Sequence, residues 1–198
     1  MATSLDAQLR EMRAGLDLRP EEIDTSNLFP ILVPASFFDH GNWPGPFARL
    51  KTSDIGLTWT VLLPSQTMRY VNFEMAQHWE ACGIDWKDLA LRNLARETET
   101  KEGARELRRT TGEVSAIAFM FEDGLGPSRL LFRNGLSQLF SAGYRVALPE
   151  MSCGIAFAID LEGEDLATVQ GVIDNCFQNG TRPLVSGSYD PDDLLPVE

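Results

Sequence analysis

The chain has 198 residues, 43% of them hydrophobic and 23% charged, which is typical of a folded domain with a full apolar core. Its apolar runs are too short for a membrane span, and the N-terminal stretch lacks the continuous apolar core of a secretion signal. The formal net charge of −12 disfavours nucleic acid and anionic membrane surfaces as partners. We therefore expect one cytoplasmic domain over residues 1–198 that binds neither.

Cysteine and histidine are too few and too scattered for a metal centre or a disulfide framework. Cys82, Cys153 and Cys176 form no CxxC pair, and neither His40 nor His78 has a second ligand at a suitable spacing. We expect no metal and no cofactor, and we interpret the three cysteines as small buried hydrophobic residues.

Charge is distributed unevenly along the chain. Residues 87–109 hold seven of the 17 basic side chains, whereas residues 160–198 hold nine acids and a single arginine. This pattern predicts one mildly basic face and one strongly acidic face, and the acidic face favours a basic protein as partner.

The first elements are assigned to an N-terminal extension of the domain over residues 1–53. Apolar residues at helical spacing predict an amphipathic helix over residues 6–18, and a short apolar run at 29–33 precedes a loop rich in Gly, Pro and aromatic residues. Alternating residues at 55–63 and 68–71, with a turn at 64–66, then predict a β-hairpin.

Two helices are predicted next, on either side of Gly83. The first starts near Phe73, and Asp85 is a suitable N-cap for the second. The charged segment at 96–109 is interpreted as a solvated helix with pairs such as Glu97–Lys101, the alternative being a basic binding surface.

The second half of the chain predicts a sheet with helices packed on it. Residues 114–121 are apolar on both faces, as in a central strand, and a helix should run from Pro127 to Gly143. Strands at 144–148 and 155–159, joined by a six-residue loop, precede a helix that ends at 179–180 and an acidic, frayed tail at 188–198. The order (α)-β-β-α-α-β-α-β-β-α predicts a single α+β domain with a mixed or antiparallel sheet.

Three segments together resemble the uncharacterised bacterial YtpQ-like family, whose domain has no known function. They read MRYVNFEMAQHWEACGIDWKDLALRNL, DGLGPSRLLF and GYRVALPEMSCGIAFAID, within a resemblance that covers residues 57–189. Such proteins tend to have an Arg-Asp pair after the proline at 149, where this chain has Glu150 and Met151. The resemblance implies a fold but no activity.

The turn from Asp123 to Arg129 is the nearest approach to a ligand-binding motif. It has two glycines before a helix start, but it lacks the GK[ST] of a phosphate-binding loop, and Pro127 removes one amide donor. We interpret Ser128 as part of helix initiation and Arg129 as a surface or interface cation that pairs with Glu150 across the sheet end. On that interpretation, Trp79→Ala and Leu131→Ala destabilise the fold and Arg129→Ala changes it little.

Serine–histidine chemistry and the aromatic loop offer two further candidate sites. Ser128 or Ser152 with His78 as base would be the minimum for acyl chemistry, but no GxSxG motif supports it, so no catalytic residue is assigned. The aromatic loop around Trp43 either covers an end of the core or binds a ligand or partner.

The sequence therefore favours a non-catalytic cytoplasmic protein that acts through protein contacts, as an adaptor, a chaperone-like factor or a neutralising partner. One alternative is an enzyme or small-molecule-binding protein with a polar site at the sheet edge formed by Asp123, Arg129 and Glu150. Another is a sensor with an apolar cavity beneath Trp43.

Overall fold

The structure is a computed structural model that describes residues 17–39, 41, 43–63 and 67–197. Over these residues it contains two antiparallel sheets and helices packed against them, which confirms the α+β prediction. The strands are β1 Leu28–Pro34, β2 Phe47–Arg49, β3 Ile55–Leu62, β4 Met68–Tyr70, β5 Ala104–Arg108, β6 Val114–Met120, β7 Tyr144–Glu150, β8 Cys153–Ala158 and β9 Ser188–Tyr189. The α-helices are α1 Phe73–Ala81, α2 Trp86–Thr100, α3 Arg133–Leu139 and α4 Gly163–Asn179.

The first sheet is built around β3, which pairs with β1 on one side and with β2 and β4 on the other. Its β-branched and aromatic residues suit a strand buried on both faces. The two buried threonines satisfy their hydroxyls locally: Thr58 donates to the carbonyl of Pro46 at 2.9 Å and Thr60 to that of Arg69 at 3.1 Å. The predicted N-terminal extension thus contributes β1 and β2 to this sheet.

The second sheet has the strand order β5-β6-β8-β7-β9. β6 pairs on both sides, as its apolar pattern predicts. The β7–β8 hairpin differs from the expected six-residue loop, because pairing continues to Glu150 and Cys153 and leaves only Met151 and Ser152 in the turn.

The helices α1 and α2 begin where side-chain caps predict. Asn72 Oδ1 accepts from the Met75 amide at 2.8 Å, and Asp85 Oδ1 accepts from the Asp88 amide at 3.2 Å. Both helices contribute tryptophans to a core cluster with the first sheet, formed by Trp59, Trp79 and Trp86. No helix in the described part of the chain is long and apolar enough to cross a bilayer.

Two predicted helices are shorter than expected. The charged segment stays helical only to Thr100, where Glu97 and Lys101 do form an ion pair, and it continues as β5. Gly103 lies between the helix and β5, close against the Phe121 ring. A Cβ at this position would lie 2.7 Å from that ring, so only glycine lets the chain pass here without a clash. The helix expected from Pro127 is a 3-10 turn, Pro127–Leu131, followed by α3.

The acidic C-terminal segment is packed, so the prediction of a frayed tail is corrected over residues 188–197. β9 pairs with β7, Tyr189 donates to Asp54 Oδ2 at 2.9 Å, and Leu194 is buried. Asp190 and Asp193 cap the 3-10 turn Pro191–Leu194, and Asp192 pairs with Arg133. These carboxylates are held by the fold itself.

Three sequence-based predictions lie largely or wholly outside the described residues: the helix at 6–18, the turn at 64–66 and the position of His40. The interpretation of the cysteines is corrected at one position. Cys153 is buried and Cys176 half-buried, but Cys82 is exposed because it is the C-cap of α1, just before Gly83.

Candidate binding cleft between the two sheets

A cleft of about 850 Å³ opens where β4 of the first sheet faces the ends of β5 and β6 of the second. Its volume lies in the range of pockets that bind organic ligands. The lining combines apolar and charged side chains: Leu62, Met68, Tyr70, Lys101, Glu102, Arg105, Met120, Phe121, Glu122, Asp123, Met151 and Arg182, with Gly103.

The apolar part of the cleft lining includes Met68, Met120 and Met151, with Tyr70 beside them. Burial raises the pKa of the Tyr70 phenol, and the positive charge of Arg182 partly offsets this shift. The Tyr70 ring also meets Trp43 edge to face, with ring centres 4.9 Å apart. The aromatic loop therefore supports the cleft from behind.

The rim of the cleft carries both signs of charge. Arg105 and Arg182 are exposed, as are Glu102 and Glu122. Lys101 is already paired with Glu97 at 2.5 Å. The cleft is thus close to neutral, in contrast to the chain as a whole at −12.

Asp123 and Arg129 form a buried ion pair at the base of the cleft. The guanidinium donates to both carboxylate oxygens, at 3.1 and 2.7 Å, and its Nε donates to Thr98 Oγ1 at 2.9 Å. The guanidinium carbon lies 3.6 Å from the centre of the Phe121 ring. Arg129 is fully buried, so the prediction of a surface cation paired with Glu150 is wrong. The positive charge of Arg129 is neutralised by Asp123, six residues earlier in the chain.

Glu150 lies in a different environment, beside a depression of about 310 Å³. Its carboxylate accepts from the Ser152 amide at 2.6 Å, from the Ser152 hydroxyl and from the Arg182 amide at 3.2 Å. Burial alone would raise the pKa of Glu150, but these hydrogen bonds outweigh it and the pKa is lowered. Glu150 therefore binds its own hairpin and the segment after α4, and it does not meet Arg129.

The structure does not assemble the proposed serine–histidine chemistry. Ser128 is buried in the 3-10 turn, and its hydroxyl has no hydrogen-bond partner among the described residues. Ser152 donates to Glu150, and the Nε2 of His78 lies 3.8 Å from the sulfur of Cys82 on α1. No group of three or more potential His, Cys, Asp or Glu metal ligands occurs in the part of the chain that the structure describes.

Trp43 is half-buried in an aromatic cluster. Its ring meets Phe38 edge to face at 5.1 Å and lies 6.4 Å from Phe37, while Phe38 stacks on Phe47 at 4.4 Å. This packing agrees with a loop that covers an end of the core. Trp43 does not line the cleft, but it contacts Tyr70, which does.

Met120 lines three surface depressions, and the sequence pattern did not identify it as a site residue. Its side chain is 49% exposed, and it lines three depressions: the cleft, the one beside Glu150, and an apolar one of about 210 Å³ below α4. The apolar depression is lined by Leu107, Ala116, Ala118, Ile155, Val169 and Val172, among others. We call the three depressions, which share Met120 as a lining residue, the Met120 trough. The only sequence signal for it is the pair of small residues at 116 and 118, on the same strand face as Met120.

No protein-family model, curated protein or solved structure matches this chain. The resemblance to the YtpQ-like family therefore stays a prediction.

Proposed function

We propose that this protein acts without catalysis, by holding a segment of another protein in the Met120 trough. The observation that carries the proposal is the exposed thioether of Met120 at the junction of three depressions. An exposed apolar side chain that lines several adjoining concave surfaces favours a binding role for them.

The chemistry of the trough suits a peptide. Methionine side chains are flexible and polarisable, so Met68, Met120 and Met151 adapt to varied apolar side chains. A rim with arginines and glutamates, such as Arg105 and Glu122, offers ion pairs to a segment that carries mixed charge.

The enzyme alternative required Asp123, Arg129 and Glu150 to converge in one pocket. Arg129 is buried behind Phe121 and neutralised by Asp123, whereas Glu150 lies beside the other depression. This separation supports a binding role over a catalytic one.

A cytoplasmic location is part of the same proposal. It is supported by the three cysteines, which carry free thiols in a chain without a disulfide among its described residues. The basic partner expected from the acidic C-terminal sequence remains a separate prediction. Its surface would be the acidic start of α4, with Glu164 and Asp165, because the tail carboxylates are used internally.

The proposal is tested by selecting binders from a random peptide display library on the folded protein. We expect a family of apolar-rich peptides whose affinity falls at least about tenfold in Met120→Arg. Leu139→Arg is the matched control, since Leu139 is an exposed apolar residue of α3 outside the trough. Fluorescence of Trp43, followed against a Trp43→Phe variant, reports binding because its ring contacts Tyr70 of the cleft. Selection of no peptide, or of peptides indifferent to Met120→Arg, would refute the proposal.

A further inference from the structure

We infer that the bound segment adds to the second sheet as a sixth strand, along the open edge of β5, and that it carries both an acidic and an apolar side chain on the strand face that meets Arg105 and Leu107. This inference rests on the proposed function and specifies the binding mode and the partner's chemistry. Three observations support the inference: the pairing of β5, the direction of the main-chain groups of β5, and the β5 side chains that lie beside the trough.

The two edges of the second sheet differ. At one edge, β7 is covered by β9, with Val146 opposite Tyr189 and Ala147 opposite Ser188. At the other edge, β5 pairs with β6, and no other described strand pairs with it. An uncovered strand edge presents main-chain donors and acceptors that an extended peptide can satisfy.

The hydrogen bonds indicate which main-chain groups of β5 face outward. The Met120 amide donates to the Gly103 carbonyl at 2.9 Å, so the main chain of Gly103 faces β6. Because main-chain groups alternate in direction along an antiparallel strand, Arg105 and Leu107 also face β6. The amides and carbonyls of Ala104 and Glu106 therefore point to the open edge.

The side chains of β5 connect this edge to the trough. Arg105 lies opposite Ala118 and Leu107 opposite Ala116, on the strand face that also carries Met120. Arg105 lines both the cleft and the apolar depression. A strand added beside β5 would place every second side chain next to these groups.

The exposed charge of Arg105 indicates the chemistry of the partner. Its guanidinium donates only to the carbonyl of the adjacent Ala104, at 3.4 Å, among the hydrogen bonds of the described residues. Arg108, in contrast, is paired with Glu106 and also donates to the Gly112 carbonyl. A carboxylate on the added strand can bind Arg105 with two hydrogen bonds, next to an apolar residue packed on Leu107.

The same edge limits what can bind. Charged side chains and a β-bulge are features that protect an edge strand from unspecific pairing, and β5 has both, with the irregularity between Leu107 and Arg108. The added strand should thus pair with residues 104–107 only, and charge complementarity should decide which sequences bind.

The test uses a blocked heptapeptide with leucine, glutamate and leucine at its second, fourth and sixth positions and threonine elsewhere, so that glutamate and leucine share one face of the strand, with a counterpart that carries lysine in place of glutamate. We expect the glutamate peptide to bind the full chain at least about tenfold more tightly than the lysine peptide. Hydrogen exchange should slow at the amides of Ala104 and Glu106, while those of Arg105 and Leu107 change little because β6 already protects them. N-methylation of the peptide at one alternate set of amides should abolish binding, and at the other set should not.

Two variants at one position separate the main chain from the side chain. Glu106→Pro removes an outward amide, whereas Glu106→Ala keeps it, and both lose the pair with Arg108. We expect only the proline variant to lose binding, by about tenfold or more, with thermal melts to verify that both fold.

Three other results would overturn the inference, and they can be told apart. If library peptides bind in a Met120-dependent manner but Ala104 and Glu106 exchange as before, the strand mode is wrong and the proposed function stands. If neither the library nor the heptapeptide yields a binder, both fail. If the protein alone sediments as a dimer that Glu106→Pro dissociates, a second copy occupies the edge and the partner segment does not.

Discussion

Arg129 and Asp123 form a two-point ion pair inside the protein, with guanidinium nitrogens 3.1 and 2.7 Å from the two carboxylate oxygens. The pair connects the turn after β6 to α2 through Thr98, and the ring of Phe121 covers the guanidinium. Side-chain exposure is 0% for Arg129 and 8% for Asp123. The ion pair therefore holds the turn in place, and the guanidinium is not presented to a ligand.

Replacing Arg129 with methionine should be strongly destabilising. The substitution leaves the Asp123 carboxylate buried without its partner, a change that costs about 3–5 kcal/mol in typical buried pairs. Denaturant unfolding measures the loss, with Arg108→Met as an exposed control that should change little. This expectation reverses the sequence-based one that Arg129→Ala changes folding little. Equal stability of the two variants would contradict the structural role.

The contribution of Glu150 to stability should depend on pH. Its pKa is lowered in the folded state, so the stabilisation is present above the unfolded-state pKa of about 4.3 and is lost as the pH falls through the folded pKa. We expect the difference in unfolding free energy between the native protein and Glu150→Gln to stay constant from neutral pH down to about pH 5 and to shrink as the pH falls further. Ser152→Ala, which removes one of the donors, should reduce that pH dependence. A difference in unfolding free energy that does not change at acidic pH either would contradict the lowered pKa of Glu150.

Two glycine substitutions should have opposite signs. A Cβ at Gly154 would lie 2.6 Å from the Gly126 carbonyl oxygen and 2.8 Å from the Pro127 Cα, since β8 packs backbone to backbone against the 3-10 turn. Gly154→Ala should thus destabilise by about 1–3 kcal/mol. Gly171→Ala meets nothing within 4 Å in α4 and should stabilise by about 0.5–1 kcal/mol. Thermal and denaturant melts of both variants measure the two changes in stability. Changes of the same sign would contradict the close packing of β8 against the 3-10 turn.

The three thiols should react with an alkylating reagent in a fixed order. Cys82 is exposed and should react first, Cys176 is half-buried and should follow, and Cys153 should react only in denaturant. Burial and the adjacent Cys176 raise the pKa of the Cys153 thiol, which suppresses the reactive thiolate. Mass spectrometry of the labelled peptides gives the order, and Cys82→Ser should remove the fast phase. Rapid labelling of Cys153 in the native protein would show that α4 does not cover it.

Much of the fold follows from local patterns, and the departures have identifiable causes. Period and capping residues place α1, α2 and β6, because each of those signals lies within the element itself. The strand character of 104–108 is hidden by its charges, which an edge strand tolerates on exposed positions.

The candidate site was less predictable because it depends on contacts between distant segments. Burial of Arg129 requires Thr98 and Phe121 as well as Asp123, and no spacing rule unites these positions. Met120 continues an apolar run and so resembles a core residue, but α4 packs on β7 and β8 and leaves it uncovered.

The packed segment at 188–197 touches both sheets: β9 extends the second, while Pro196 bridges to Leu50 and the Val197 amide donates to the Arg49 carbonyl at 2.9 Å beside the first. A segment shared in this way transmits any local opening of one sheet to the other. The two sheets should accordingly unfold in one cooperative transition and not as separate foldons. Loss of the Tyr189–Asp54 hydrogen bond should then lower the cooperativity of unfolding of the whole molecule, including parts that lie far from these two residues.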